Sequence, residues 1–313
     1  MTDASISHKQ VPVRRRFLAG LTLLAAGAIW GGGFVAQSTA MDSLGPFAFI
    51  AARFAVAFFG LLPFALIEVR RARITDLTSE VTEATLVPEW GGYTLAGLAF
   101  FAGMATQQIG LVTTSVSNSG FLTSLYVVFT PFIAFILFRE MPRLVIIPAS
   151  FMALTGIFLL SGGMGGQLSE GDWWTIACAG FWGLQVALTG RLAERTGLPI
   201  TLTAVQMAMA CLVALPITLV FETTEVWQLK VALPEILYTG LFAGGLAFSL
   251  QARGQRYVKP GPAAILLSSE ALFAALFGAI LLGERLAPIA LIGCGLILAA
   301  ILIAQWPQKR RNS

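Results

Sequence analysis

Two ionisable side chains, Arg53 and Glu270, lie within long apolar stretches of this sequence. A charge near the middle of a membrane-spanning helix costs about 2.5–3.5 kcal/mol on insertion scales, so leucine would serve better where only a helix is needed. The Glu270 carboxylate could bind a cation, an ammonium group or a proton, or it could be a structural acid held by hydroxyls or by Arg53. Arg53 could bind the carboxylate of a small molecule, or it could form a structural ion pair or a helix-end contact.

Polar side chains also recur along the apolar stretch 117–138. Their spacings of four, three and four residues match one face of an α-helix. The members of this polar stripe are Ser119, Thr123, Tyr126 and Thr130, with Ser117 and Asn118 at one end. Within lipid such a face must contact protein or a water-filled cavity. The polar stripe therefore lines a cavity or forms hydrogen bonds between helices.

Aromatic and amide side chains share helical faces of two other apolar stretches. The residues on these two faces are Trp30, Phe34 and Gln37, and Trp182, Gln185 and Thr189. Such a surface suits an amphipathic organic molecule, although tryptophan is also common in plain packing. Gln107, Gln108 and Gln251 are further candidates. We predict that the substrate-binding residues are Trp30, Phe34, Gln37, Gln107, Asn118, Thr123, Tyr126, Trp182, Gln185, Gln251 and Glu270.

The sequence offers little for enzymatic chemistry. A serine nucleophile needs a base, yet the single histidine, His8, lies in the polar N-terminal tail, far in sequence from Ser119. No apolar stretch contains a convincing aspartate, and no Walker motif is present. The three dispersed cysteines, Cys178, Cys211 and Cys294, argue against a disulfide framework or a metal site. We therefore predict no catalytic residue, no cofactor and no metal.

The elements that must position these side chains are membrane-spanning helices. Apolar residues make up 57% of the 313 residues and charged residues only 12%, whereas soluble domains carry about 25% charged residues. A spanning helix needs about 20 largely apolar residues. The segments that meet this requirement are 17–37, 46–68, 92–111, 117–138, 144–162, 172–190, 199–221, 232–251, 261–282 and 286–306. We therefore predict an all-α membrane protein of ten transmembrane helices.

Basic residues are distributed unevenly between the predicted loops. With a cytoplasmic N-terminus, 17 of the 20 Lys and Arg residues are cytoplasmic, Lys230 and Arg285 are external, and Arg53 is within a helix. The positive-inside rule then predicts that both termini are cytoplasmic and that loop 163–171 is external. Membrane orientation also accounts for the net charge of +4 without nucleic acid. The arginines at 14–16 could instead begin a cleaved export signal, but no clear cleavage site follows them.

The two halves of the sequence resemble each other. The aligned pairs include Pro46 with Pro199, Pro63 with Pro216, Trp30 with Trp182, Arg53 with Gln206, Gln107 with Gln251, Ser124 with Ser268 and Tyr126 with Glu270. These pairs predict two five-helix repeats, residues 14–165 and 166–306, with cytoplasmic tails at 1–13 and 307–313. Because five is odd, the second repeat is inverted, and inverted repeats provide the geometry that alternating access requires.

Several of these motifs resemble those of the ten-helix EamA-type transporters of the drug/metabolite transporter superfamily. The resemblance rests on Trp-Gly near the start of each half, the paired prolines, and the sequence GERL at 283–286. It covers nearly the whole chain. One departure is Arg139-Glu140, where the family often has Gly-Glu; the missing glycine has little bearing on substrate. The resemblance implies export of metabolites, including amino acids, or of toxic compounds.

The polar residues within the apolar stretches indicate which substrates fit best. One acid, one base and several neutral groups fit a zwitterionic amino acid, so we predict a secondary transporter that exports amino acids by alternating access through a cavity between the repeats. Efflux of organic cations or drugs by proton antiport is the alternative, and a membrane receptor or scaffold is the alternative of another class. We expect a monomer in the cell inner membrane whose partners are the bilayer and a small-molecule substrate.

Overall fold

The structure is a computed structural model that describes residues 13–78, 88–114, 116–139, 141–161, 168–281 and 287–306. Within these ranges all regular elements are helices. Eight of them are long and apolar enough to cross a membrane, and Ile146–Leu160 is a shorter apolar helix. The helix Val13–Gly31 supplies the first predicted segment. All ten predicted segments are thus helical, which confirms the all-α membrane fold.

The first half of the chain contains two helices that are interrupted where the sequence predicts continuous ones. Its helices are α1 (Val13–Gly31), α2 (Gly33–Ala40), α3 (Pro46–Thr78), α4 (Trp90–Thr113), α5 (Val116–Thr123), α6 (Tyr126–Phe138) and α7 (Ile146–Leu160). The break at Gly32 falls among three glycines, which have low helix propensity. The second break lies at Ser124, whose hydroxyl donates a hydrogen bond of 2.8 Å to the Gly120 carbonyl. A tighter turn there joins α5 to α6.

Helices of the second half are also interrupted at two places. One is the position aligned with Ser124, and the other is a π-helix that the sequence does not predict. The helices of this half are α8 (Glu170–Thr196), α9 (Pro199–Phe221), α10 (Val226–Val231), α11 (Leu233–Leu237), a π-helix (Tyr238–Ala247), α12 (Phe248–Gln255), α13 (Pro260–Leu267), α14 (Ser269–Leu281) and α15 (Pro288–Gln305). Ser268 separates α13 from α14, as its aligned residue Ser124 separates α5 from α6. The predicted helix 232–251 is instead α11, the π-helix and α12 in succession.

Some helices extend beyond their predicted bounds. The predicted helix 46–68 continues as α3 to Thr78, because the polar residues after the apolar stretch are still helix formers. α8 begins at a capping box in which Ser169 and Asp172 bond each other's backbone N–H groups, and it ends at Gly197 with φ 67°. These local signals lie outside the apolar segment 172–190, so hydropathy alone placed the ends of α8 too close together.

Helices of the first half pack mainly on helices of the second half. α3 packs along α9, and α7 packs along α15. The contact of α4 with α8 has a counterpart in the contact of α1 with α12, and α6 on α8 has a counterpart in α14 on α1. Exchanging the halves therefore reproduces the main contacts, as an inverted repeat requires.

Exposed tryptophans mark the two ends of the helical bundle. We call these the Pro46 end, where α3 begins and α9 ends, and the Pro199 end, where α9 begins and α3 ends. Trp173 and Trp227 are exposed at the Pro46 end, and Trp90 and Trp306 are exposed at the Pro199 end. Tryptophan is enriched at membrane–water interfaces, so the two groups indicate where the bilayer surfaces lie.

Candidate functional site

A cavity lies between the two halves and is lined by residues of both. Nine of the eleven predicted substrate-binding residues line it: Trp30, Gln37, Gln107, Thr123, Tyr126, Trp182, Gln185, Gln251 and Glu270. The side chains of Phe34 and Asn118 lie outside the described residues. The cavity also contacts Arg53, which the sequence left between a structural and a binding role. These nine predicted residues thus line one cavity, and their part in substrate binding remains a prediction.

Glu270 is the second residue of α14, immediately after the interruption at Ser268. Its side chain lines the cavity and is only 8% exposed. Its backbone is fixed by α1, since a Cβ added at Gly31 would lie 2.8 Å from the Glu270 carbonyl oxygen. Among the described residues no side chain donates a hydrogen bond to the Glu270 carboxylate, and no basic group forms an ion pair with it. The carboxylate is therefore available to a molecule in the cavity.

Arg53 lies about two helical turns after Pro46 in α3, and its side chain is 2% exposed. Its guanidinium donates to Gln37 Oε1 at 2.9 Å, to Met104 Sδ at 2.9 Å and to Gln108 Oε1 at 3.4 Å. All three acceptors are neutral. The possible ion pair between Arg53 and Glu270 is absent, because both residues are described and neither has a partner of opposite charge within that part of the chain.

Three aromatic rings form a wall of the cavity around Phe248. The centroids of the Trp30 and Phe248 rings lie 4.6 Å apart. The Trp182 ring stacks on the Phe248 ring, with a centroid distance of 5.7 Å and an interplanar angle of 12°. Trp30 and Trp182 are the aligned tryptophans of the two halves, whereas sequence reasoning did not select Phe248. Its aligned residue is Met104, which also lines the cavity, so the repeat could have identified this pair.

The polar stripe divides between the two roles that the sequence left open. Thr123 and Tyr126 line the cavity, and Thr123 accepts a hydrogen bond from Gln107 Nε2 at 3.2 Å. Thr130 instead donates to the Tyr126 carbonyl at 2.7 Å. Ser119 is fully buried and its hydroxyl has no partner among the described residues. Only the middle of the polar stripe therefore contributes to the cavity surface.

Amide side chains form a connected network toward the Pro199 end, and two of them, Gln185 and Gln251, line the cavity. Gln185 Nε2 donates to Thr189 Oγ1 at 3.0 Å and to Gln206 Oε1 at 2.9 Å. Gln206 Nε2 also donates to Thr189 Oγ1 at 3.0 Å. Gln251 Nε2 donates to Gln185 Oε1 at 3.1 Å and to Gln255 Oε1 at 2.9 Å. We call these five residues the amide network; its members are buried and uncharged, and within the described residues Gln251 Oε1 is left without a hydrogen-bond partner.

Irregular backbone borders the cavity where α1 ends and the π-helix passes. Tyr238 donates its hydroxyl to the Ile29 carbonyl at 2.9 Å, and Trp30 Nε1 donates to the Ala243 carbonyl at 2.9 Å. These two hydrogen bonds join the end of α1 to the π-helix. At membrane depth, irregular backbone is tolerated where it is buried in protein or lines a cavity. π-helical segments and broken helices are frequent at functional sites.

Ten helical segments around a buried cavity with a few polar groups are the architecture of a multi-pass membrane transporter. The chain belongs to the EamA-like transporter family, which it matches over residues 17–162 and again over residues 169–305. A curated relative from Archaeoglobus fulgidus, described as an uncharacterized transporter, is 32% identical over 289 residues, which cover 92% of this chain and 86% of the relative.

A solved structure confirms the arrangement of the chain. It is described only as the crystal structure of a protein, and it superposes with a TM-score of 0.73 over 92% of this chain and 96% of its own. At 16% sequence identity this likeness concerns the fold alone. The relatives therefore establish membrane transport and its architecture, and the substrate must be inferred from the cavity.

Proposed function

We propose that this protein exports small metabolites that carry an ammonium group, amino acids first among them, by alternating access through the central cavity. The observation that carries this proposal is the Glu270 carboxylate, which faces the cavity without a partner among the described residues. A buried carboxylate is stabilised strongly by a cation that donates hydrogen bonds to it. An ammonium group is such a cation, and it is common to amino acids and organic amines.

The rest of the cavity surface supports an organic substrate. The rings of Trp30 and Trp182 offer apolar contact, and their faces attract a cation in the absence of water. Gln107, Thr123 and Gln251 offer neutral hydrogen-bonding groups.

Alternating access is supported by the exchange of contacts between the halves. The contacts of α4 with α8 and of α1 with α12 are counterparts, so the packing of one half has a structural equivalent in the other. Two arrangements related by this exchange would open the cavity to opposite sides. Export rather than import follows from the family resemblance, not from the cavity.

Efflux of organic cations is the second candidate, favoured by the tryptophan rings that line the same cavity as Glu270. It differs from the first in requiring no carboxylate on the substrate. Coupling to protons would make uptake depend on a pH gradient, which amino-acid transport by facilitated diffusion would not. A substrate panel measured with and without such a gradient therefore separates the candidates.

The proposal is tested by uptake of radiolabelled amino acids and organic amines into liposomes containing the purified protein. We expect Glu270→Gln to fold and to reduce uptake of ammonium-bearing substrates about tenfold or more, since a hydrogen bond to a charged group contributes about 1.5–3 kcal/mol. Glu194→Gln is the matched control, because Glu194 is exposed near the end of α8. Wild-type uptake by the Glu270→Gln protein, for every substrate and pH tested, would remove Glu270 from the binding site.

A further inference from the structure

We propose that Arg53 is a carboxylate-binding subsite, so that the substrate must carry a carboxylate in addition to its ammonium group and is bound between Arg53 and Glu270. This inference rests on the proposed function and narrows its substrate class to zwitterions. Arg53 and Glu270 both line the cavity, and they carry its opposite charges without pairing with each other. A zwitterion supplies each of them with a counter-charge.

The first step is that the Arg53 guanidinium is buried but not neutralised. Its three acceptors are two amide oxygens and a thioether sulfur. Its Nε group is buried and has no hydrogen-bond partner in the described part of the chain. Buried cations are normally paired with an anion or fully hydrogen-bonded. Arg53 therefore retains both charge and donor capacity for an anion that arrives from the cavity.

The second step uses the internal repeat as a control. Gln206 is the aligned residue in the other half, and it occupies the corresponding place in α9. Its amide is bonded to Gln185 and Thr189 within the amide network, and it does not line the cavity. The architecture therefore needs only a neutral polar side chain at this position. The positive charge of Arg53 is an addition that packing does not require.

The third step is geometric. The rings of Phe49 and Phe54 lie 4.7 Å and 4.6 Å from the Arg53 guanidinium carbon. These contacts and the bond to Gln37 hold the guanidinium plane in place. A planar, fixed guanidinium binds a carboxylate through two parallel hydrogen bonds, which a lysine ammonium cannot reproduce. Gln37 also lines the cavity, so it can release Arg53 to the substrate without leaving the binding site.

The experiment compares three ligands that differ only in their charged groups. Leucine carries both charges, leucinamide lacks the carboxylate, and N-acetylleucine lacks the ammonium group. Each is used to compete for uptake of labelled leucine into liposomes with wild type, Arg53→Gln and Arg53→Lys. Glu194→Gln is the matched control, because Glu194 is exposed near the end of α8 and does not line the cavity. Thermal stabilisation by each ligand in detergent gives a second measure of binding.

We expect wild type to prefer leucine to leucinamide by about tenfold or more. Arg53→Gln should abolish this preference, while leucinamide remains better than N-acetylleucine. Arg53→Lys should restore the preference only in part, and Glu194→Gln should leave the ratio unchanged. The inference is overturned if Arg53→Gln keeps the wild-type ratio. It is also overturned if wild type binds leucine and leucinamide equally. This second result is measured on wild type alone, so it does not depend on whether the Arg53 variants fold. Failure of wild type to transport any amino acid would instead refute the proposed function, and this inference with it.

Discussion

Charged side chains in the spans of this protein differ in how completely they are bonded. Glu68 accepts hydrogen bonds from the backbone N–H groups of Ile200 and Thr201 and from the Thr201 hydroxyl. Glu222 accepts from two backbone N–H groups at the start of α3. Both carboxylates are used by the fold. Arg53 and Glu270 have no counter-charge among the described residues, which is why we assign them to the substrate.

Single glycines also decide how closely two helices can approach. Gly293 of α15 lies against α7, and a Cβ added at Gly293 would lie 2.8 Å from the backbone nitrogen of Leu160. A Cβ at Gly295 would meet nothing within 4 Å. Gly293→Ala should therefore lower the unfolding free energy by about 1–3 kcal/mol through overpacking, whereas Gly295→Ala should be close to neutral. Thermal denaturation in detergent distinguishes the two, and equal melting temperatures would contradict the close packing of α7 on α15.

At the scale of helices, α3 and α9 are tied together at both ends. The carboxylate of Glu68, late in α3, caps the start of α9, and the carboxylate of Glu222, just after α9, caps the start of α3. The first N–H groups of a helix lack intrahelical acceptors and carry a partial positive charge. Each cap satisfies these groups in the other half, so we infer that the pair moves as one unit.

The reciprocal caps predict a measurable loss of stability. Glu68→Gln keeps the shape of the side chain but removes its charge and one acceptor oxygen, so it should lower the unfolding free energy by about 1–2 kcal/mol. Glu194→Gln, an exposed change at the same end of the bundle, should not. A melting temperature of Glu68→Gln equal to that of the control would show that the cap contributes nothing.

Sequence alone predicts the spans well but their interruptions poorly. Apolar length locates all ten helical segments because a span must exclude polar residues from lipid. The same criterion does not detect the breaks at Gly32 and Ser268, or the π-helix, because the stretches that contain them are still apolar on average. Only the alignment of Ser124 with Ser268 hinted that these two residues share a role.

The candidate site was predictable where its residues are polar. Gln107, Thr123 and Glu270 stand out against an apolar background, and helical periodicity places them on inward faces. Phe248 and Met104 have no such contrast with their neighbours, so they were missed although they line the cavity. The bonding of Gln206 within the amide network depends on how α8 and α9 pack, which periodicity does not specify.

For the whole molecule, the paired contacts between the halves concern the change of conformation, and the charge of the loops concerns the orientation in the membrane. The contacts support exchange between two conformations, but they do not determine which end of the bundle faces the cytoplasm. The loop charges address that question, because basic residues favour the cytoplasmic side. The Pro199 end carries Arg195 and Arg256, whereas Lys230 lies at the Pro46 end. We therefore propose that the Pro199 end is cytoplasmic and that both termini lie on that side.

This orientation is tested by labelling single cysteines placed at the two ends, in a protein whose three native cysteines are replaced. Thr223 is exposed after α9 at the Pro46 end, and Glu194 is exposed at the Pro199 end. A membrane-impermeant maleimide should label Thr223→Cys in intact cells and should label Glu194→Cys only after permeabilisation. Uptake measurements show that each variant is folded. The reverse labelling pattern would invert the proposed orientation, and Arg53 would then face the substrate from the cytoplasmic rather than the external half of the cavity.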